Sequence, residues 1–290
     1  VATEILTLAT AHDLGLYQVL GHLLLQQVTS ARLDPAAAEH WTAGTRLAED
    51  MDLPLLGKIG DWGKCMRQTL AGRFAAAESA YLETAARIRG GSAFGGEVAT
   101  AWVGIYTIRY AQGRLGELVN DTLRLHETLG RLPGTADMYA LALLEAGRSD
   151  EAAEVVAATP PCPADIRADF HRDLHLTIRG LVAAGLADKP RAAAVYDELQ
   201  PYAARFAGTM TAALALCPVA LVLGDLAALL TRDDPRAHYH HAARIARTAG
   251  SQHWELAALD RIRSFPHPPD PPTKRECTPF SVGSHPLYRV

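Results

Sequence analysis

Lysine is scarce in this chain, no run of Lys and Arg gathers anywhere, and the formal net charge is -4. A protein surface with that balance offers no attraction to a phosphate backbone, so direct nucleic-acid contact by this segment is not expected. Cysteine is equally sparse. Cys65, Cys162, Cys217 and Cys277 stand far apart with no CxxC, which excludes a disulfide-stapled secreted fold and leaves reduced thiols in a cytoplasm as the simplest reading. No apolar run reaches the roughly 20 residues that cross a bilayer. The longest candidate, 210–230, is broken by Pro218, Gly224 and Asp225, so no membrane contact is expected. No secretory leader opens the chain. It starts at Val1 inside a helix-like stretch, which reads as a piece cut from a longer, cytoplasmic protein. Alternation of the strand type is missing as far as Phe265, and with it the case for a mixed α/β enzyme.

What is present is helical punctuation. Gly72, Gly113 and Gly147 each close one helical run and open another through a Gly-Arg corner. They are spaced by 41 residues (72 to 113) and 34 (113 to 147). Such intervals belong to helix-pair repeats, in which each unit packs on its neighbours and the array presents an extended surface. The periodicity predicts helices over 13–28, 35–51, 55–71, 73–89, 98–112, 115–129, 135–146, 149–158, 166–184, 190–206, 212–230, 235–249 and 254–263. Asp34-Pro35, Ser149, Asp188 and Asp234-Pro235 are placed to start helices. A glycine-rich loop, 90–97, and the TPPCPAD stretch, 159–165, interrupt them. Residues 1–263 therefore read as one helical repeat domain, and 264–290 as a proline-rich tail. Phe280, Leu287 and Tyr288 are the tail's expected anchors, and the groove of the same or a neighbouring copy is its expected seat.

In each second helix a small residue is expected where the pair crosses closely: Ala77, Ala152, Ala192 and Ala237, with Leu118 departing from the pattern. Four residues later a larger group should fill the gap to the next unit: Tyr81, Thr122, Val156, Tyr196 and His241. Trp102 takes the first-helix Trp position in its unit. The fold class expected is all-α, a right-handed superhelix of about six tetratricopeptide-like helix pairs.

One resemblance is more specific. The string LAEDMDLPLLGKIGDWGKCMRQTLAGRFAAAESAYLETAARI resembles the tetratricopeptide region of large actinobacterial transcriptional regulators. These are the multidomain LuxR-type ATP-binding regulators and the related antibiotic regulatory proteins. TIRYAQGRLGEL, LALLEAGRSDEAAEVV, RAAAVYDELQPYA and RAHYHHAARIARTAGSQHWELAAL continue the likeness in order over residues 47–262. The resemblance implies a regulatory domain that binds a protein, a peptide or a small-molecule effector and signals to nucleotide-binding and DNA-binding modules. Neither module is visible here: there is no GxxxxGK[ST], and Gly57-Lys58 lacks the following Ser or Thr.

Chemistry-bearing residues are few. His238, His240 and His241, with 238 and 241 on one helical face, invite a metal reading, against which stands ordinary packing of His241. His171 and His175, flanked by Asp169 and Asp173, have ligand spacing but no HExxH glutamate. No GxSxG elbow is present, and Cys65 and Cys217 lie in apolar helical stretches. No enzymatic activity, catalytic residue, metal or cofactor is therefore expected. A helical-repeat enzyme or metal protein using these histidines is the outlying alternative. If first helices line a concave groove, Trp62, Met66, Val103, Thr107 and Tyr110 project into it, with Arg67 and Arg109 nearby. Packing between repeats is the competing account of Trp62 and Met66. The partner expected in the groove is a protein, a peptide or a small effector. A docking or oligomerisation scaffold without effector, including a homodimer, is the second reading.

Overall fold

The computed structural model describes residues 1–53, 56, 60–89, 96–129, 133–160 and 162–264. Among these, fourteen α-helices pack in pairs and no strand is present, so the chain is all-α. The helices are α1 (Ala2–Ala11), α2 (Gly15–Ala31), α3 (Ala36–Asp50), α4 (Trp62–Leu70), α5 (Phe74–Arg89), α6 (Gly96–Ala111) and α7 (Val119–Thr128). They continue as α8 (Pro133–Glu145), α9 (Ser149–Ala157), α10 (Arg172–Gly185), α11 (Lys189–Leu199), α12 (Val219–Leu230), α13 (Pro235–Thr248) and α14 (Gln252–Ser264). Consecutive helices pack on one another through most of the chain, and α4 also meets α6, α8 meets α10 and α10 meets α12. That pattern of neighbour and next-neighbour contact is what helix-pair repeats produce.

The Gly-Arg corners are a recurring helix stop. At Gly72 the backbone is left-handed (φ 70°), Arg73 N–H reaches back to the Gln68 carbonyl, and Gly72 N–H to Thr69. These two bonds satisfy carbonyls the helix end would otherwise orphan. Gly113 and Gly147 repeat the arrangement. So does Ala187, with φ 53° and Asp188 N–H bonded to Ala183, although alanine carries a steric cost there. The side chain of Asp188 then accepts from Arg191 N (3.1 Å), and that of Asp234 from Arg236 N (3.0 Å), as expected of caps. Ser149 does not cap: it is the first residue of α9, and no side chain bonds at that helix start.

The predicted small-then-large positions hold in α5, α9 and α11, where Ala77, Ala152, Ala192, Tyr81, Val156 and Tyr196 are buried. In α13 they do not. Ala237 is exposed and His241 half-buried, while Tyr239, Ala242, Ala243 and Ala246 are buried instead. The corner before α13 is longer, with both Thr231 and Asp233 at positive φ, and this rotates the helix relative to the reading from sequence. Tyr239 lies against α12 at Gly224, where a β-carbon would come within 2.3 Å of its ring.

Several expected helices are shorter than predicted. Residues 115–118 form a 3-10 turn before α7, and 166–171 precede α10, where His171 N–H bonds to Asp169 Oδ1 (2.8 Å). The expected helix over 212–230 begins only at Val219, because Pro218 is extended and cannot sit in a helix interior. Residues 200–218 instead form a folded insert. Phe206 and Pro218 make an antiparallel bridge, Ala207 N–H bonds to Cys217 O, and Leu216 N–H to Ala207 O. Ala207 and residues 212–217 are buried, so the insert contributes directly to the core. It touches α2 through residues 209–211. It accepts a hydrogen bond from Tyr81 Oη at the Ala213 carbonyl (2.6 Å), and Gly208 N–H donates to Asp173 Oδ1 (3.3 Å). One segment thus joins α2, α5 and α10.

No described helix is long and apolar enough to cross a membrane. Residues 265–290, with Phe280, Leu287, Tyr288 and Cys277, lie outside the described residues, as do Gly57, Lys58 and most of the glycine-rich loop at 90–95.

Candidate functional site

The residues expected in a groove divide into two groups. On α4, Trp62 is buried and stacks on Tyr81 with ring centroids 6.0 Å apart. On α6, Thr107 is fully buried and donates to the Gly104 carbonyl (2.7 Å), while Val103 packs half-buried against the core. Tyr110 stacks on Trp254 of α14 at 5.8 Å. Burial, then the nearby Cys217, Glu145 and Asp225, raise its hydroxyl well above the ordinary tyrosine pKa. Arg109 is held by both carboxylate oxygens of Glu78, at 2.9 and 2.8 Å. The expectation that Trp62 and Thr107 project into open space is therefore corrected: both are covered by neighbouring helices, which need a large ring and a satisfied hydroxyl at those crossings.

Met66 and Arg67 are different. Both line a cleft of about 270 Å³ at the corner where α2 and α3 meet α4 and the end of α13. Ser30, Leu33, Asp34 and Pro35 come from the α2–α3 corner, Leu70 from the last turn of α4, and Thr248 and Ala249 from the end of α13. The corner is built locally. Leu33 takes the left-handed conformation (φ 56°) that stops α2, and Asp34 Oδ1 accepts from Ala36 N (2.9 Å) to start α3. Met66, Leu70 and Leu33 pack in one hydrophobic cluster and give the cleft apolar walls.

Its polar groups are incompletely used. Ser30 Oγ is buried, with the residue 3% exposed, and has no hydrogen-bond partner. Arg67 lies over the Trp41 ring at 5.2 Å, a cation–π contact, but no carboxylate pairs with it among the described residues, and its Nη1 is buried without an acceptor. Burial lowers the Arg67 pKa from its ordinary value, though a guanidinium keeps its charge in proteins. Trp41 Nε1 is also buried and unpartnered. A buried donor with no acceptor costs about 1–3 kcal/mol, more when it is charged. Such costs collected at one corner are what a site without its ligand shows.

Other candidates are less complete as sites; His175 Nδ1 is buried without a partner, but no cleft opens on it among the described residues. A cleft of about 330 Å³ among α7, α8 and α9 is lined by His126, Tyr139 and Glu154, but His126 Nδ1 lies 2.8 Å from Thr135 Oγ1. An open surface of about 780 Å³ runs along the exposed side of α3, without a buried polar group. Tyr196 Oη donates to Asp233 Oδ2 (2.6 Å) and stands 2.8 Å from His238 Nε2, so His238 belongs to a packing contact between units. His171 and His175 have ring centroids 6.2 Å apart, and burial lowers His175 to about 4. No group of three or more His, Cys, Asp or Glu suited to a metal occurs among the described residues.

The deepest charges form a separate cluster. Arg179 is wholly buried; its Nε bonds to Asp137 Oδ2 (2.8 Å), and its two terminal nitrogens to Asp165 (2.6 and 2.9 Å). Burial raises Asp137 to about 6, against the pull of Arg179, whereas hydrogen bonds from the same guanidinium outweigh desolvation at Asp165 and hold it below the ordinary carboxylate range. Every guanidinium nitrogen is engaged, so this cluster locks α8 to α10 and the 163–165 turn, while Asp137 Oδ1 stays buried without a partner among the described residues.

Helix phase at α4 is what points to Met66 and Arg67 in the sequence. Ser30, Leu33 and Asp34 carry no such signal beyond the Asp34-Pro35 helix start, because they reach the cleft through contacts distant in the chain. Comparison with family models, curated proteins and solved structures finds no match to this chain.

Proposed function

We propose that this chain is a recognition module, the effector-binding regulatory domain of a cytoplasmic bacterial transcriptional regulator, built as a right-handed tetratricopeptide superhelix. Three kinds of support converge. The resembling strings over 47–262 point to that regulator family, and the paired helices with their repeated corners suit the fold. The observation that carries the function is the α2–α3–α4–α13 cleft, apolar in its walls and holding an unpaired guanidinium and an unpaired hydroxyl.

The cleft also suits signalling. Its residues come from 30–38, 66–70 and 248–249, so a ligand there bridges the first helices of the array and nearly the last. A ligand that binds one relative placement of these helices better than another shifts the population between them by its differential affinity. That shift is the signal passed to other modules of the regulator. Isothermal titration of the chain with small organic acids, their neutral amides, sugars and short peptides, with X-ray scattering of each mixture, tests the proposal. Saturable binding by at least one class with an altered scattering profile is expected. Absence of both across all classes refutes it.

A second reading, a docking scaffold, is favoured by one feature. α2 contains no Asp, Glu, Lys or Arg, and exposes Leu16, Tyr17, Leu20, Leu24 and Val28. Contiguous exposed apolar surface of this kind marks interaction sites. A concentration-dependent dimer in light scattering, with no response to any small molecule, selects the scaffold.

A further inference from the structure

Twelve arginines pair with an acid among the described residues. Arg109 has Glu78, Arg114 has Glu117, Arg172 has Glu198, Arg191 has Asp188 and Arg261 has Asp225. Arg67 is half-buried without one. The only carboxylate lining its cleft among the described residues, Asp34, is engaged in starting α3 through Ala36 N. A desolvated guanidinium is stabilised by a planar anion that accepts two of its N–H groups, and carboxylates match that fork. Ser30 Oγ, 3% exposed and unpartnered, adds a hydroxyl donor on the same wall. The rest of the lining is hydrocarbon or thioether: Leu33, Ala37, Met66, Leu70 and Ala249.

The charge of the cleft narrows the ligand further. The lining holds one guanidinium and, among the described residues, one carboxylate, Asp34, so a single negative charge finds a partner and a second is repelled. A dianionic phosphate ester is disfavoured on that ground, and an uncharged ligand leaves Arg67 as it is now. The volume of about 270 Å³ is at the small end of ligand pockets and suits a compact molecule.

We infer that the cleft binds a small organic monocarboxylate, its carboxylate on Arg67 and Ser30 and its apolar body against Met66, Leu33 and Leu70. This assignment rests on the recognition-module reading and names the effector's chemical class. A thioether wall adapts to differing apolar shapes, so selectivity resides mainly in the charged end.

The test uses benzoate, phenylacetate and hexanoate as probes, with benzamide, phenylacetamide, hexanamide and inorganic phosphate as controls, measured by isothermal titration at fixed ionic strength. The acids bind saturably, and each amide binds at least about tenfold more weakly, the factor that one charge-assisted hydrogen bond supplies. Arg67→Met weakens the acids by about tenfold or more and leaves the amides unchanged. Arg67→Lys weakens them less, because it keeps the charge and loses the fork. Ser30→Ala gives a smaller loss and removes a hydroxyl that bonds to nothing among the described residues, so it serves if Arg67→Met fails to fold by circular dichroism. Amides that match the acids, phosphate that outcompetes them, or acid binding indifferent to both Arg67→Lys and Ser30→Ala overturns the monocarboxylate assignment. In each of those cases the module still binds ligand and the broader reading stands. If no probe of any class binds, the broader reading fails with it.

Discussion

Replacing Arg179 by methionine is the most demanding test of the packing. The side chain is wholly buried, and its removal leaves Asp137, itself 1% exposed, without a countercharge. Asp165 suffers less, since its carboxylate is 17% exposed and can take up water. Breaking a buried ion pair from one side costs about 3–5 kcal/mol, because the remaining carboxyl is left either as a desolvated charge or holding a proton against its solution pKa. The pH dependence identifies the source of that cost. In the native chain Asp137 titrates near 6, above the unfolded carboxyl at about 3.9. Its folded form therefore keeps a proton that the unfolded chain has lost, and its contribution to stability falls as pH rises from about 4 through 6. Without Arg179 the pull that lowers this carboxyl is gone and burial pushes it higher still, so it is expected to keep its proton at neutral pH. At pH 5 both folded proteins hold it neutral. At pH 7.5 only the native protein gains from ionising, by about 2 kcal/mol over 1.5 units at 1.4 kcal/mol each. Urea denaturation followed by helical circular dichroism should give a Arg179→Met cost of about 3–5 kcal/mol at pH 7.5 that shrinks by about 2 at pH 5. Adding Asp137→Asn, which imitates the protonated acid and removes the cost of holding its proton, should recover most of the Arg179→Met cost at pH 7.5. A cost below about 1 kcal/mol at pH 7.5, or one that does not change with pH, refutes the assignment of Arg179 as counterion to a desolvated Asp137.

Tyr81→Phe removes the bond that ties α5 to the 200–218 insert and leaves the Ala213 carbonyl unsatisfied, so it should cost about 1–3 kcal/mol and speed amide exchange at 207–217. Unchanged exchange there counts against the insert being anchored by that hydroxyl. Gly147→Ala forces an alanine into a left-handed corner (φ 75°) that is otherwise open to solvent. It should lose about 1 kcal/mol, or a few degrees of melting temperature, from backbone strain alone, and an unaltered melting curve would show the corner relaxes. His175, lowered to about 4 by burial, is neutral when folded and charged when unfolded between pH 4 and 6.5. Its contribution is present above pH 6.5 and is lost as pH falls to 4, by up to about 3 kcal/mol before discounting for partial exposure. His175→Gln should flatten that acid-side slope relative to the native chain, and an identical slope would locate the titration elsewhere.

The helix pairs were legible because their stops use glycine. Gly72, Gly113 and Gly147 announce a left-handed residue, and Ala77 and Ala152, five residues after the first and third, announce close crossings. Yet the same stop is made by Asp13, Leu33, Asp52 and Ala187, all at positive φ, and nothing in those residue types marks it. There the tertiary contacts of the two helices override local preference. The boundary at Val219 was misread for a related reason. Residues 212–217 are as apolar as a helix core, and only Pro218 hints that the chain is extended before it. His241 was placed one corner too early because a two-residue left-handed corner, Thr231 and Asp233, looks like ordinary loop composition. Of the seven groove candidates, helix phase brought Met66 and Arg67 to the same cleft. Phase alone cannot say which side of α6 is covered by α14, and so Tyr110 is stacked beneath Trp254.

The insert changes where a ligand can be received. In an array of helix pairs the first helices are the natural lining of a groove, and here residues 207 and 212–217 are buried in the core. Tyr81 holds the Ala213 carbonyl, Asp173 receives Gly208 N–H, and the 209–211 turn lies on α2. A peptide competing for that space has to displace a segment bonded at several points and packed in the main hydrophobic cluster. The α2–α3–α4–α13 corner demands no such displacement: its walls are in place, and its unsatisfied groups gain from an incoming anion. Because the insert fixes α2 on one side while the end of α13 closes the corner on the other, a ligand there acts on the contact between early and late helices and leaves the filled interior undisturbed. Recognition at this seam, with an intact interior transmitting the change, is the arrangement the packing supports.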